Sequence, residues 1–317
     1  MRAAAAVLRR LGIFALTAVL ASMVVFALLA VVPGDPAQVA LGLTATPEKL
    51  AAARAEMGLD RPLPVQYLDW ATGLLGGDLG TSAVTGRPVG PELASRAWVT
   101  AVLVAAGMAV AVLVAVPMGV VAAVRRRRPD GMLLSGLSQV GIAVPAFLAG
   151  LLLITVFAVR LQWFPSGGWT RDGDGLADLL SYLVLPAISL GVVQGAVLAR
   201  YVRSAVLDVL REDYLRTARA KGLPPLRALL RHGLRNAAIP VLTVGGVQLG
   251  VMLVGAVVVE KVFVINGLGS MLLEKVGNRD MVAVQGIVTV LVLAVLVINL
   301  VVDLLYTVID PRLREAP

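Results

Sequence analysis

The side chains that most often carry protein chemistry are scarce in this sequence. Cysteine is absent among the 317 residues, and His232 is the single histidine. Disulfides, thiolate nucleophiles and Cys/His zinc clusters are therefore excluded. A phosphate-binding loop of the GxxxxGK type needs a lysine after a glycine. None of the four lysines follows a glycine: Lys49, Lys221, Lys261, Lys275. We expect that this chain binds no metal or cofactor and hydrolyses no ATP.

The acids border the most apolar runs of the chain instead of lying within them. These acids are Asp130, Glu260, Asp280 and Asp303. An intramembrane protease or transferase needs paired acids, a nucleophile with a base, or metal ligands at membrane depth. The border positions favour solvated or headgroup-facing roles, so we expect no enzyme.

Neutral amides are the main polar groups inside the apolar runs. They are Gln139, Gln194, Gln248, Gln285 and Asn299. Amides of this kind either line a wet pathway or form hydrogen bonds between helices, and the sequence supports both interpretations equally. They are our candidate pathway residues.

The elements that position these amides are long apolar segments. The chain is 58% hydrophobic and 15% charged, with a mean hydropathy of +0.88. A helix needs about 20 apolar residues to cross a bilayer. Six uncharged runs meet that length and predict an all-α membrane protein with six transmembrane helices: 11–32, 97–124, 131–159, 179–199, 236–259, 281–302.

The basic residues predict how these spans are oriented. Alternate loops, together with both termini, hold 18 of the 28 Lys and Arg residues. Short loops rich in Lys and Arg stay in the cytoplasm, so we expect both termini inside, in the inner membrane. The net charge of +8 then faces anionic lipid headgroups, which is favoured over binding of nucleic acid. The first run exceeds a signal-peptide core of about 7 to 15 residues, so we expect it to be retained.

The segment between the first two spans predicts a small helical cap outside the membrane. Thr46 is placed to cap a helix whose first turn holds Pro47 and Glu48, and Gly58 is a stop signal. A second helix is expected over 65–75. The predicted domains are span 1 at 1–33, the cap at 34–96, a core with spans 2–6 at 97–309 and a cytoplasmic tail at 310–317.

Prolines and paired glycines within the spans predict bends and close helix packing. Proline inside a span frees a backbone carbonyl and bends the helix, whereas glycines four residues apart let another backbone approach. The prolines are Pro117, Pro145, Pro186 and Pro240, and the glycine pairs are Gly191 with Gly195 and Gly246 with Gly250.

The charged loop 200–235 is patterned like helix on both sides of Pro224-Pro225. Before the prolines, Asp213 is placed to cap a short helix over 214–221 that ends at Gly222. Beyond them, one apolar face predicts a helix lying along the membrane surface. That face consists of Leu226, Leu229, Leu230, Gly233 and Leu234.

This loop resembles the motif of ABC-importer permeases, in which Glu-Ala-Ala is followed after three residues by Gly. Here the motif reads Arg216-Thr217-Ala218-Arg219-Ala220-Lys221-Gly222. Arg216 replaces the Glu, and Pro240 lies further from the glycine than in the general pattern. Both departures resemble the dipeptide/oligopeptide/nickel branch, and within it the first, B-type permease.

Further matches to that branch extend over nearly the whole chain, although Asn266 and Met281-Val282 depart from its usual Pro and aromatic-Pro. The matching segments are 33–36, 58–62, 185–187, 199–203, 235–237, 267–269, 278–280, 285–286 and 310–312. The resemblance implies a type I ABC importer permease fold.

The resemblance also implies the partners and the cargo. They are a second homologous permease, two ATP-binding subunits that use ATP and Mg, and an extracytoplasmic solute-binding protein. The short loop helix is implied to dock on an ATPase subunit, through Asp213, Tyr214 and the motif residues 216–222. Peptides are the leading cargo; nickel, haem, glutathione and oligosaccharide remain open. An autonomous secondary carrier or channel is the alternative from another class.

Overall fold

The computed structural model describes residues 2–32, 34–42, 45–170 and 175–309. Pro33 and the tail 310–317, with the match at 310–312, lie outside the described residues. Within those ranges the regular elements are helical, apart from one antiparallel β-bridge between Thr81 and Pro88. The helices are α1 Arg2–Val31, α2 Pro36–Leu41, α3 Pro47–Glu56, α4 Leu63–Leu75, α5 Val89–Val124, α6 Pro129–Ala143, α7 Ala146–Leu153, α8 Leu176–Val209, α9 Asp213–Ala220, α10 Pro225–Ala228, α11 Leu234–Val262, α12 Leu268–Gly277 and α13 Met281–Ile309, with π-helical turns at Ile154–Arg160 and Leu229–Gly233.

Five of the described helices are individually long and apolar enough to cross a membrane. They are Val7–Val31, Val89–Val124, Leu176–Val209, Leu226–Val262 and Met281–Leu305. The predicted third span is instead a pair, Pro129–Ala143 with Ala146–Arg160, bent by 99°. Counting this pair as one crossing gives the six expected spans.

The bend in the third span occurs where Pro145 precedes α7. Val144 and Pro145 are both extended, because proline disfavours the helical conformation of the residue before it. Ser189 of α8 donates a hydrogen bond to the carbonyl oxygen of Ala146, at 2.7 Å. This bond ties the start of α7 to α8. At Pro117, Pro186 and Pro240 the helices continue without a break.

The chain divides into two compact units, one of which comprises residues 100–266 and 301–309 among those described. Its core lies where α5, α8, α9 and α11 meet, and it is built from alanine, valine and leucine. A Cβ at Gly191 would lie 2.5 Å from the carbonyl oxygen of Gly107, and one at Gly119 would lie 2.7 Å from that of Ala199. The backbones of α5 and α8 therefore touch, as expected for Gly191.

The other unit comprises residues 3–99 and 267–300. Its buried apolar cluster joins the start of α5 to α12 and the first turns of α13. Lys275 on α12 forms an ion pair with Glu92 on α5, at 3.2 Å. Burial leaves only 5% of the lysine side chain exposed, so this pair is partly desolvated.

The expectation that the border acids are solvated was wrong for two of them. Asp280 is fully buried and accepts hydrogen bonds from the Ser82 hydroxyl, at 2.5 Å, and the Ala83 amide, at 3.2 Å. Glu260 is also fully buried and accepts a 2.6 Å bond from the Thr100 hydroxyl. Each carboxylate is tolerated inside because hydrogen-bond donors replace water around it.

Helix α3 begins where it was predicted, whereas α4 begins earlier than predicted. Thr46 is the N-cap residue of α3, but its hydroxyl makes no capping bond. Helix α4 begins at Leu63, two residues before the predicted 65, because Pro64 fits the unbonded first turn of a helix. Gly58 has φ +67°, which is the left-handed conformation expected of its stop signal.

Contact between the α5 and α8 backbones makes Gly191 intolerant of a side chain. We expect Gly191→Ala to lower the free energy of unfolding by about 1–3 kcal/mol, because neither helix backbone can give way cheaply. Gly136→Ala on α6 is the matched control, since nothing lies within 4 Å of a Cβ there. Thermal unfolding of the detergent-purified chain measures both, and equal midpoints would contradict the close contact.

Candidate functional site

The candidate site is helix α9, which stands between α8 and the double proline. Its N-cap residue is Glu212, not the predicted Asp213, which is the first helical residue. Glu212 takes the extended conformation that ends the preceding turn, without a side-chain capping bond. The Asp213 carboxylate instead lies 3.2 Å from the Arg216 guanidinium and adds negative charge where the helix dipole is positive.

Helix α9 ends in the hydrogen-bonded pattern of a Schellman motif. The amide of Gly222 donates to the carbonyl of Arg219, at 2.9 Å, and that of Leu223 donates to Ala218, at 3.3 Å. Gly222 has φ +90°, a conformation that costs other residues about 1–2 kcal/mol. The predicted glycine stop is therefore present in the structure.

Two apolar side chains anchor α9 to the membrane helices. Leu215 is 1% exposed, and with Ala218 it belongs to the cluster that includes Val209 of α8 and Leu229. A Cβ at Gly233 would lie 2.8 Å from Val209 and 3.2 Å from Leu215. The absence of a side chain at Gly233 therefore lets α9 seat against α8 and the start of α11.

A polar contact adds to this anchor. The Asn236 amide of α11 donates to the Tyr214 hydroxyl, at 2.9 Å. The Thr217 hydroxyl bonds the carbonyl of Asp213 one turn earlier, at 3.0 Å. A side chain of α9 is thus bonded directly to a side chain of α11.

The rest of α9 presents a polar surface. Of the nine candidate residues, Ala218 is buried and the other eight are exposed. Those eight are Asp213, Tyr214, Arg216, Thr217, Arg219, Ala220, Lys221 and Gly222. A short helix that is fixed on one side and charged on the other is suited to contact a separate protein.

The prediction of a separate helix lying along the membrane surface beyond the double proline was wrong. Helix α10, the π turn Leu229–Gly233 and α11 form one helical segment, Leu226–Val262, which is long and apolar enough to cross a membrane. Leu229 and Gly233 are buried in this segment, whereas Leu226 and Leu230 are exposed. The π turn holds more residues per turn than an α-helix, so it shifts the phase of the apolar pattern.

The candidate pathway amides fall in both compact units. Gln139, Gln194 and Gln248 belong to the unit 100–266, whereas Gln285 and Asn299 belong to the unit with 267–300. Gln139 and Asn299 are exposed and the other three are half-buried. The side-chain nitrogen of Gln285 is buried without a partner among the described residues, beside a cavity of about 590 Å³.

The buried carboxylates Asp280 and Glu260 are polar groups whose burial the sequence did not reveal. For Asp280, the sequence indicated importance only through its place in the matching segment 278–280. For Glu260, the sequence showed only that this residue follows an apolar run. Within the described ranges, no group of three or more His, Asp and Glu residues is placed to hold a metal ion.

An all-helical membrane chain with an anchored, polar loop helix has the features of a permease subunit of a transporter. The chain belongs to the family described as binding-protein-dependent transport system inner membrane component, whose model matches residues 115–315. The model for the N-terminal part of such membrane components matches residues 4–108. The protein is therefore a multi-pass inner-membrane permease subunit of the ABC-importer class.

Two similar proteins are related over almost the whole chain. One is the glutathione transport system permease protein GsiC of Salmonella typhimurium, 43% identical over 97% of this chain and 98% of its own length. Another is a probable peptide ABC transporter permease protein, y4tP, of Sinorhizobium fredii. It is 40% identical over 97% of this chain and 98% of its own length.

A solved structure confirms the predicted type I fold. The MetNI methionine ABC transporter in an inward-facing conformation contains a chain that matches with a TM-score of 0.58 and 16% identity. The match covers 69% of this chain and 96% of that chain.

The anchor of α9 predicts a difference between two leucines of the loop. Leu215→Ala removes a buried side chain at a cost of about 2–5 kcal/mol, so we expect α9 to open locally. Leu230→Ala is the control because this leucine is 54% exposed. Amide hydrogen exchange over 213–222 should be faster in the first variant only; unchanged exchange would contradict the anchor.

Proposed function

We propose that this chain is the permease subunit of an ATP-binding-cassette importer that carries di- and oligopeptides into the cell. The observation that carries the proposal is the anchored helix α9 with its exposed charged surface and Gly222 terminus. The cargo is inferred from the names of the two similar proteins, which are assigned to glutathione and to peptides. Glutathione resembles a small peptide in its amide bonds and charged ends, so both names favour one solute class.

The proposed complex contains a second homologous permease, two ATP-binding subunits and an extracytoplasmic solute-binding protein. ATP and Mg are bound by the ATP-binding subunits, and this chain binds no cofactor. The absence of any lysine after a glycine supports that division of labour. Cargo selection then lies largely with the solute-binding protein.

The proposed mechanism begins at α9. An ATP-binding subunit contacts the exposed residues of the coupling segment 213–222 and moves when ATP is bound and hydrolysed. Because Leu215 packs against Val209 and Tyr214 bonds Asn236, α9 moves together with α8 and α11. Packed helices change arrangement as units, so this movement is transmitted to the membrane-crossing helices.

Gly222 provides the most direct test of coupling. We expect Gly222→Val to lower ATP-dependent peptide uptake several-fold, because a β-branched residue is strained at φ +90°. Gly222→Asn is the matched control and should keep more activity, since asparagine tolerates this conformation better. Uptake and peptide-stimulated ATPase are measured in vesicles that contain the complete complex.

Reduced uptake indicates a loss of coupling only if both variants insert into the membrane as well as the unaltered chain does. Equal uptake and ATPase stimulation in the valine variant would reject coupling through this segment. Peptide transport by the purified chain alone would instead support an autonomous carrier.

The orientation is a separate proposal, supported by the bias of Lys and Arg toward the termini and alternate loops. Because the chain lacks cysteine, a single introduced cysteine is the only thiol in the chain, and its labelling shows on which side of the membrane it lies. Thr85 and Lys221 are both exposed, and we expect a cysteine at Thr85 to react with an impermeant maleimide in intact cells. A cysteine at Lys221 should react only after permeabilisation; the reverse pattern would overturn the orientation.

A further inference from the structure

Helix α4, in the segment expected to form a cap outside the membrane, has an exposed apolar stripe. Leu68 is 59% exposed and Leu75 is 89% exposed. Pro64, Val65 and Thr72 lie on the same side of the helix and are also exposed. A stripe of this kind on a helix bathed in water would be unfavourable.

The opposite side of α4 contacts α1 through aromatic rings. The Phe26 ring lies 5.6 Å from the Tyr67 ring and 5.9 Å from the Trp70 ring, between centroids. The Tyr67 hydroxyl is 2.9 Å from the Ser22 hydroxyl, within hydrogen-bond distance. Helix α4 is therefore held beside α1 at Ser22 and Phe26.

Helix α1 can be used to measure depth in the membrane, because Arg9 and Arg10 mark one end of its apolar run. A helix rises about 1.5 Å per residue, so Ser22 lies roughly 18 Å beyond Arg10 and Phe26 about 24 Å beyond it. The hydrocarbon core is about 30 Å thick. Ser22 and Phe26 then lie roughly 12 Å and 6 Å below the opposite surface. Tilt of α1 would place both deeper.

From this depth we propose that α4 lies within the leaflet opposite Arg9 and Arg10, with lipid acyl chains against Leu68 and Leu75. On α1, Val24 and Leu28 are exposed at about the same depth, so this part of α1 also presents apolar side chains that suit contact with lipid. The Tyr67 hydroxyl lies within hydrogen-bond distance of the Ser22 hydroxyl, which also donates to the carbonyl of Val19 at 2.8 Å, so both hydroxyls have protein partners in the leaflet.

The polar groups of α4 agree with a position near the headgroups. Asp69 lies at the edge of the apolar stripe and pairs with Arg61, at 2.9 Å. Tyr67 and Trp70 are the residue types that prefer the membrane interface. Segment 34–96 is thus partly embedded, with α4 as an interfacial helix and the loop around Thr85 in water.

Spin labels on single cysteines test this position, again because the natural chain has none. Leu68→Cys and Leu75→Cys are compared with Val24→Cys, on the exposed side of α1, and with Thr85→Cys, in the aqueous loop. The labelled chain is reconstituted with its partner subunits in phosphatidylethanolamine and phosphatidylglycerol vesicles. Collision rates with oxygen and with a water-soluble nickel chelate are then measured.

We expect the labels at 68 and 75 to show an oxygen-to-nickel ratio several-fold above that at 85 and close to that at 24. Ratios equal to that at 85 would overturn the proposal in favour of an aqueous cap. Low collision rates with both reagents would also overturn it, because a protein would then cover the stripe. Peptide uptake by the same vesicles tests the proposed function separately. A failure of the proposed position of α4 is therefore distinguishable from a failure of the proposed function.

Discussion

Close contact between backbones is the interaction on which the rest of the permease depends. Hydrocarbon provides no hydrophobic drive between helices, so their association relies on packing at small residues and on polar contacts. At Gly119 and Gly191 the space for a side chain is filled by the neighbouring helix, which lets α5 and α8 touch. Helix α8 in turn carries Val209, against which α9 is anchored through Leu215. The polar surface of α9 is therefore positioned through α8, which is itself packed against α5.

The sequence was most informative where one physical requirement dominates. The apolar runs were predictable as spans because a helix satisfies its backbone hydrogen bonds within its own segment, as lipid requires. Gly222 was recognisable because few residues other than glycine adopt φ near +90° at low cost. The close approach at Gly191 followed from the same absence of a Cβ. In each case the residue type limits the structure strongly enough to predict it.

The sequence was less informative where tertiary partners decide the outcome. Asp280 and Glu260 border apolar runs, which suggested solvated roles, but Ser82 and Thr100 supply their hydrogen bonds from distant parts of the chain. The apolar face after Pro225 was real in sequence, yet a π turn changed which leucines are buried. The N-cap residue of α9 is Glu212 instead of the predicted Asp213, since an acid at either position is compatible with a helix start. These features depend on geometry that residue spacing does not encode.

The break at Pro145 has a consequence for biogenesis. During synthesis, the segment with α6 and α7 leaves the ribosome before α8 does. The last carbonyls of α6 lack intrahelical partners at this break, and an unsatisfied carbonyl in hydrocarbon is costly. Helix α8 packs against both α6 and α7, so we expect the third segment to enter lipid more readily together with the fourth than alone.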